Sequence, residues 1–238
     1  MKIDVMAFAP HPDDVEMGCG GTLIKLKKQG YKTAIVDLTY AELSSNGDLK
    51  TRALETEKAS GILNLDLREN LGIEDGNIVN SIENRNKIID VVRKYRPQMV
   101  FIPFYKDRHP DHENANKLLR DSLFISGLLK YEREFDFYRP NIVMSYMLHF
   151  EFIPSFITDI SEEFEEKVKA VTSYKSQFFS SEDKSVITHI STKAFNDILH
   201  TRARYYGLKI NCTYGEPFFI NAKIKINNPL DFFNYIFY

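Results

Sequence analysis

The sequence predicts an α/β fold: a mainly parallel sheet with helices on both faces and an active site at the carboxyl ends of the strands. Three observations predict it. Short apolar runs alternate with longer amphipathic ones through the first half of the chain, the pattern of strand–helix units. The two segments richest in His and Asp each follow directly on an apolar run. At 238 residues, with no repeat, low-complexity linker or composition break, the chain suits one sizeable domain spanning 1–238.

Taken in order, residues 2–8 read as a buried strand and 20–29 as a helix with Leu23, Ile24 and Leu26 inward, stopped by Gly30. Residues 32–38 form the next strand, followed by a polar loop, then a helix over 51–63 and a short strand over 66–70. A helix over 81–95 ends before Arg96-Pro97, residues 98–104 return as a strand, and a helix over 111–129 starts at Asp111. The second half is less regular. It offers strands at 142–149 and 155–160, helices at 161–174 and 191–206, and an alternating late strand at 217–226. Rossmann-like sheets of this kind bind ligands beyond the carboxyl ends of their strands.

Composition narrows the function. A net charge of -2 argues against a nucleic-acid binder, and no apolar stretch reaches the roughly 18 residues of a membrane span. The N-terminal segment turns acidic too soon for a signal peptide, so a cytoplasmic protein is expected. Cys19 and Cys212 make no disulfide framework. Phe232, Phe233, Tyr235, Phe237 and Tyr238 crowd the C-terminus and are expected to dock on their own domain or on a neighbouring subunit.

The chemistry sits in His11-Pro12-Asp13-Asp14, after the first strand, and His109-Pro110-Asp111-His112, after the strand ending near Phe104. Proline fixes its own φ and restrains the preceding histidine, so each turn is stiff enough to aim side chains. Catalytic zinc takes three His or carboxylate ligands and keeps a position open for water. His11, Asp14 and His112 supply two imidazoles and one carboxylate. Without a thiolate, zinc leads, and iron(II) or another divalent metal fits the same donors.

At these residues the sequence resembles the PIG-L (LmbE-like) zinc deacetylases, whose hallmarks are an A-H-P-D-D-x-E segment and a later H-P-D-H. Here they stand as residues 10–16, with Pro10 for the usual alanine, and 109–112. Further stretches resemble the branch of bacillithiol biosynthesis: residues 37–39 and 41–47, Arg68-Glu69-Asn70-Leu71-Gly72, 107–112 and Tyr174-Lys175-Ser176-Gln177-Phe178. The resemblance implies His11, Asp14 and His112 as metal ligands, Asp13 as general base and His109 facing the oxyanion. The implied substrate is N-acetylglucosaminyl-malate, deacetylated by metal-activated water, and the implied assembly is a homo-oligomer, with hexamers the family's tendency. The chemistry suits these roles, since amide hydrolysis needs a base for the water and a hydrogen-bond donor, here a protonated His109, for the oxyanion.

Arg52 and Arg108 are candidates for the malate carboxylates, because a guanidinium fork matches a carboxylate. Asp107 could orient a histidine; Asp111 is better read as a helix N-cap, and Glu16 as a support of the turn. His149, His189 and His200 read as structural or surface residues, and Gln177 as a contact to substrate or backbone. Glycines 18, 20 and 21 lack the third glycine of a dinucleotide loop and follow two aspartates that would repel phosphate. Two other functions stay open: deacetylation of free N-acetylglucosamine, a chito-oligosaccharide or another glycoside, and non-catalytic metal or sugar binding.

Overall fold

In a computed structural model, residues 1–178 and 186–228 are described; the aromatic C-terminal segment lies outside them. The elements run β1 (Val5–Ala9), α1 (Asp14–Lys28), β2 (Thr33–Asp37), α2 (Leu49–Leu63), β3 (Leu67–Asn70), α3 (Ile82–Tyr95), β4 (Met99–Pro103), α4 (Pro110–Ser126), β5 (Ile142–Tyr146), β6 (Phe156–Asp159), α5 (Phe164–Val171), α6 (Lys193–Leu208) and β7 (Gly215–Phe219). They build a seven-stranded sheet ordered β3-β2-β1-β4-β5-β7-β6. The first five strands in that order are parallel, and β7 runs antiparallel to both β5 and β6.

β1 is buried throughout, as a central parallel strand with helices on both faces must be. Its side chains alternate between two cores. Val5, Ala7 and Ala9 pack with Leu23, Ala59 and Ala170 from α1, α2 and α5 on one face. Met6 and Phe8 pack with Ile88, Val92, Leu118 and Leu119 from α3 and α4 on the other.

Helix starts follow local hydrogen bonding. Asp48, Ser81 and Thr192 each cap a helix by accepting a backbone N–H three residues on. α4 begins with Pro110, which lacks the N–H a first-turn residue could not pair anyway. Its N-cap is His109, whose side chain accepts the Asp111 N–H, so Asp111 is not the cap.

The helices expected at 111–129 and 161–174 are Pro110–Ser126 and Phe164–Val171, and three further boundaries differ for visible reasons. The first helix starts at Asp14 rather than 20 and is kinked at Cys19 (φ -146°, ψ 19°). The glycines inside it serve packing: a Cβ on Gly18 would stand 2.3 Å from Cδ2 of the buried Tyr146 ring. The strand expected at 217–226 is Gly215–Phe219, because the chain leaves the sheet after Phe219 and residues 221–228 are exposed although their pattern keeps alternating. The strand expected at 142–149 stops at Tyr146, where β7 crosses it for only two residues, Ser145↔Phe219 and Tyr146↔Phe218. No helix among the described residues is long and apolar enough to cross a membrane.

Candidate active site

β1 and β4 are neighbours, paired Val5↔Met99 through Ala7↔Phe101. The helices that follow them, α1 and α4, lie on opposite faces. The crevice between the two strand ends is the switch point where such sheets bind ligands. Residues 11–14 and 107–112 leave the sheet side by side there, and His11, Asp13, Asp14, Arg108, His109 and His112 among them line a cavity of about 370 Å³.

At its base stand His11, Asp14 and His112. His11 Nδ1 lies 3.2 Å and His112 Nε2 3.3 Å from the same oxygen, Asp14 Oδ2. Tetrahedral ligands about 2.0–2.1 Å from a zinc stand about 3.4 Å apart, so donor types and spacing both fit a divalent cation. Two further groups of three ligand atoms overlap this one: His11, His109 and Asp111; and Asp107, His112 and His149.

Each of the two histidines has its other nitrogen held by a carboxylate, as metal-ligating imidazoles usually do. His11 Nε2 is 3.1 Å from Asp75 Oδ1 and 3.4 Å from Asp111 Oδ2. His112 Nδ1 is 2.9 Å from Asp107 Oδ1. Asp75 sits in the loop after β3, where Leu43 N–H donates to it and Gly76, at φ +72°, turns its own N–H onto Asp111. Sequence reasoning missed Asp75, 64 residues from His11; an Asp-Gly turn beyond a strand end was the available signal.

The electrostatics follow from these contacts. Burial opposes charge on His11, yet hydrogen bonds to Asp111, Asp14 and Asp75 hold its pKa well above the usual value. His112 is raised to about 9, Asp14 and Asp107 outweighing burial. For Asp14, burial is outweighed by His112 and His11, which keep its carboxyl well below the usual range.

Asp13 is the N-cap of α1 at φ 121°, a strained position for a residue with a Cβ. The strain turns its carboxyl toward the cavity instead of onto the helix end, where it makes no capping bond. Arg52 Nη1 donates to Asp13 Oδ2 at 3.2 Å, and its Nη2 to Ser44 Oγ at 3.2 Å. Arg52 thus borders the cavity already engaged with Asp13, whereas Arg108 is exposed at its edge with no hydrogen bond among the described residues.

His109 accepts the Asp111 N–H on Nδ1 at 3.2 Å, which leaves Nε2 as the protonated nitrogen. Burial, with His11 and His112 nearby, holds its pKa below the usual value. With Nδ1 accepting from the backbone, the ring keeps its Nε2–H to donate into the cavity.

Two histidines expected to be structural or surface residues border the cavity instead. The His149 ring lies flat over His112, centroids 5.6 Å apart at 5°, and His189 meets it edge-on at 6.0 Å. No motif flags either. His200 packs against Phe164, away from the cavity. Gln177 borders it and donates to the Asn46 carbonyl. Glu16 is fully buried behind the site, accepting from Arg68 at 2.6 Å and from the Tyr174 hydroxyl at 2.7 Å. Arg68 also forks onto both oxygens of Asp37.

The family model described as GlcNAc-PI de-N-acetylase (PIG-L) matches residues 6–123. A diacetylchitobiose deacetylase of Thermococcus kodakarensis is 31% identical over 225 residues, covering 89% of this chain and 80% of the relative. Among solved structures, the conserved protein TT1542 from Thermus thermophilus superposes with TM-score 0.87 at 36% identity, covering 94% of this chain and 97% of that one. An N,N'-diacetylchitobiose deacetylase from Pyrococcus horikoshii, complexed with an inhibitor, gives 0.78 at 28% identity, covering 90% and 82%.

Proposed function

We propose a substrate class and a mechanism from one premise: this chain belongs to the PIG-L family of GlcNAc-PI de-N-acetylases and is a hydrolytic N-deacetylase. Its substrate is a small N-acetylglucosamine sugar of the diacetylchitobiose kind named for two of its relatives. One observation carries the reading. A metal-type donor set, a buried carboxyl and an imidazole N–H meet in a single cavity.

A divalent cation, zinc in this reading, would be held by His11, Asp14 and His112, where it lowers the pKa of a water and polarises the amide carbonyl. Asp13, near 7, accepts the proton of the water that attacks the acetyl carbon. It returns that proton to the amine as the C–N bond breaks, while His109 keeps its N–H on the oxyanion. His109 donates Nε2–H to the oxyanion, a bond of the kind worth about 3 kcal/mol in such transition states.

A second reading, N-acetylglucosaminyl-malate, is favoured by the uncommitted guanidinium of Arg108 at the cavity edge. Arg52, tied to Asp13, is the weaker partner for a carboxylate. The test is acetate release by metal-loaded protein from diacetylchitobiose, free N-acetylglucosamine and the malate conjugate. The highest kcat/KM on diacetylchitobiose supports the first reading. The highest on the malate conjugate, lost in Arg108→Ala, replaces it with the second. Metal binding without acetate release from any of them overturns both substrate readings and leaves another acetylated glycoside as the substrate.

A further inference from the structure

Most polar side chains that border the cavity are already committed. His11 and His112 are held by carboxylates, Arg52 is engaged with Asp13 and Ser44, and Gln177 with the Asn46 carbonyl. His149 is different. Its loop follows β5, which pairs with β4 in parallel, so the carboxyl ends of the two strands are neighbours. Asp107 Oδ2 accepts its backbone N–H at 2.9 Å and that of Phe150 at 3.5 Å, which ties this loop to the segment carrying His109 and His112. Its ring packs parallel to His112, centroids 5.6 Å apart, and against the buried Phe195 at 6.2 Å. His149 borders the cavity, yet neither ring nitrogen has a hydrogen-bond partner among the described residues. A neutral imidazole offers one N–H and one lone pair in the plane of its ring. A hydroxyl group, donor and acceptor at once, matches that pair.

We propose that His149 is a substrate-binding residue that recognises the sugar hydroxyl next to the scissile acetamido group, the one on C3. The inference rests on the reading above, an N-acetylglucosamine sugar whose acetamido group meets His11, Asp14 and His112. Because His149 stands against His112, the part of the sugar it meets is the part nearest the acetamido carbon. Two ring carbons flank that carbon. In a glycoside linked through C1, the oxygen on C1 lies in the glycosidic bond and has no proton. That leaves the C3 hydroxyl as the neighbour that both donates and accepts. The nitrogens of His149 lie in the ring plane, so the hydroxyl is met at the ring edge without disturbing the stack on His112. The stack and the Asp107 bonds also hold the residue in place before substrate arrives, so little freedom is lost on binding.

The experiment compares acetate release from the methyl β-glycoside of N-acetylglucosamine and from its 3-deoxy analogue, in metal-loaded native protein and three variants. One net hydrogen bond makes the native chain favour the 3-hydroxy sugar by about 3- to 10-fold in kcat/KM. His149→Phe keeps a ring against His112 and Phe195 and removes both nitrogens. It should treat the two sugars alike, through a higher KM for the 3-hydroxy sugar, while elemental analysis finds the metal content of the native chain. His149→Asn and His149→Gln carry an amide toward the places of Nδ1 and Nε2, and one of them should restore the preference; thermal melts check the fold of all three. A preference for the 3-hydroxy sugar that survives in His149→Phe overturns the proposal, as does a native chain indifferent to that hydroxyl. A native chain that binds metal and deacetylates neither sugar removes the N-acetylglucosamine reading, and this inference with it.

Discussion

Three influences meet on the carboxyl of Asp13: burial raises its pKa, Arg52 lowers it, and the like charge of Asp14 reinforces burial, with the balance near 7. A base there must be ionised to act, so kcat/KM should rise with pH through an acid limb that this carboxyl sets. Arg52→Ala removes the influence that lowers the pKa, and the limb should move to higher pH on every substrate alike. If that variant instead raises KM for the malate conjugate alone and leaves the limb in place, Arg52 is a substrate contact after all. Asp13→Asn keeps the size of the side chain and removes the proton acceptor. It should cost about 10²- to 10⁴-fold in kcat while metal content, measured by elemental analysis, stays at the native level. His11, Asp13, Asp14, His109 and His112 were legible because each lies in a short motif stiffened by proline. Asp75, His149 and the Arg52–Asp13 pair were not, since they meet across 64, 37 and 39 positions of sequence.

At the scale of the element, α1 shows what local pattern conveys and what it does not. Its apolar residues from Leu23 onward announce a helix, yet its first turn has no capping bond and runs straight into Gly18, so the reading from sequence began six residues late. What holds the start is tertiary. Beyond the kink at Cys19, the Glu216 carboxylate from β7 accepts the backbone N–H groups of Gly21 and Thr22 at 2.9 and 2.7 Å and the Thr22 hydroxyl at 2.6 Å. Lys167 of α5 donates to the same carboxylate at 2.5 Å, and both charges are buried. Glu216 therefore caps a helix almost 200 residues before it, a partner no local signal could reveal. Glu216→Ala would leave two backbone donors and a buried ammonium without their acceptor. Breaking a pair of this kind costs about 3–5 kcal/mol, to be seen as a lower urea midpoint at an unchanged slope. A loss under about 1 kcal/mol would mean that the kinked helix holds itself.

At the scale of the molecule, strand order decides whether two motifs 98 residues apart make one site. The sequence placed each motif after a strand; only the order β3-β2-β1-β4-β5 makes those strands neighbours. The donor set is therefore contributed by segments far apart in sequence: His11 and Asp14 from the turn into α1, His112 from the first turn of α4, with Asp75 and Asp107 behind them from two loops. A cation bound by all three ligands binds the folded chain and not the unfolded one, so it should stabilise the fold by about 2.7 kcal/mol at 100 times its Kd and about 4.1 kcal/mol at 1,000 times. For a chain of this length each kcal/mol is about 2–4 °C of melting temperature, which puts the expected drop on chelation at roughly 5–15 °C. Thermal melts of zinc-loaded and chelator-treated protein measure it directly. His112→Ala should melt at nearly the same temperature in both conditions, because it removes one of the three ligands and the only one from α4. If chelation shifts that variant as far as the native chain, the stabilising cation sits elsewhere, and the crevice between β1 and β4 is not the metal centre.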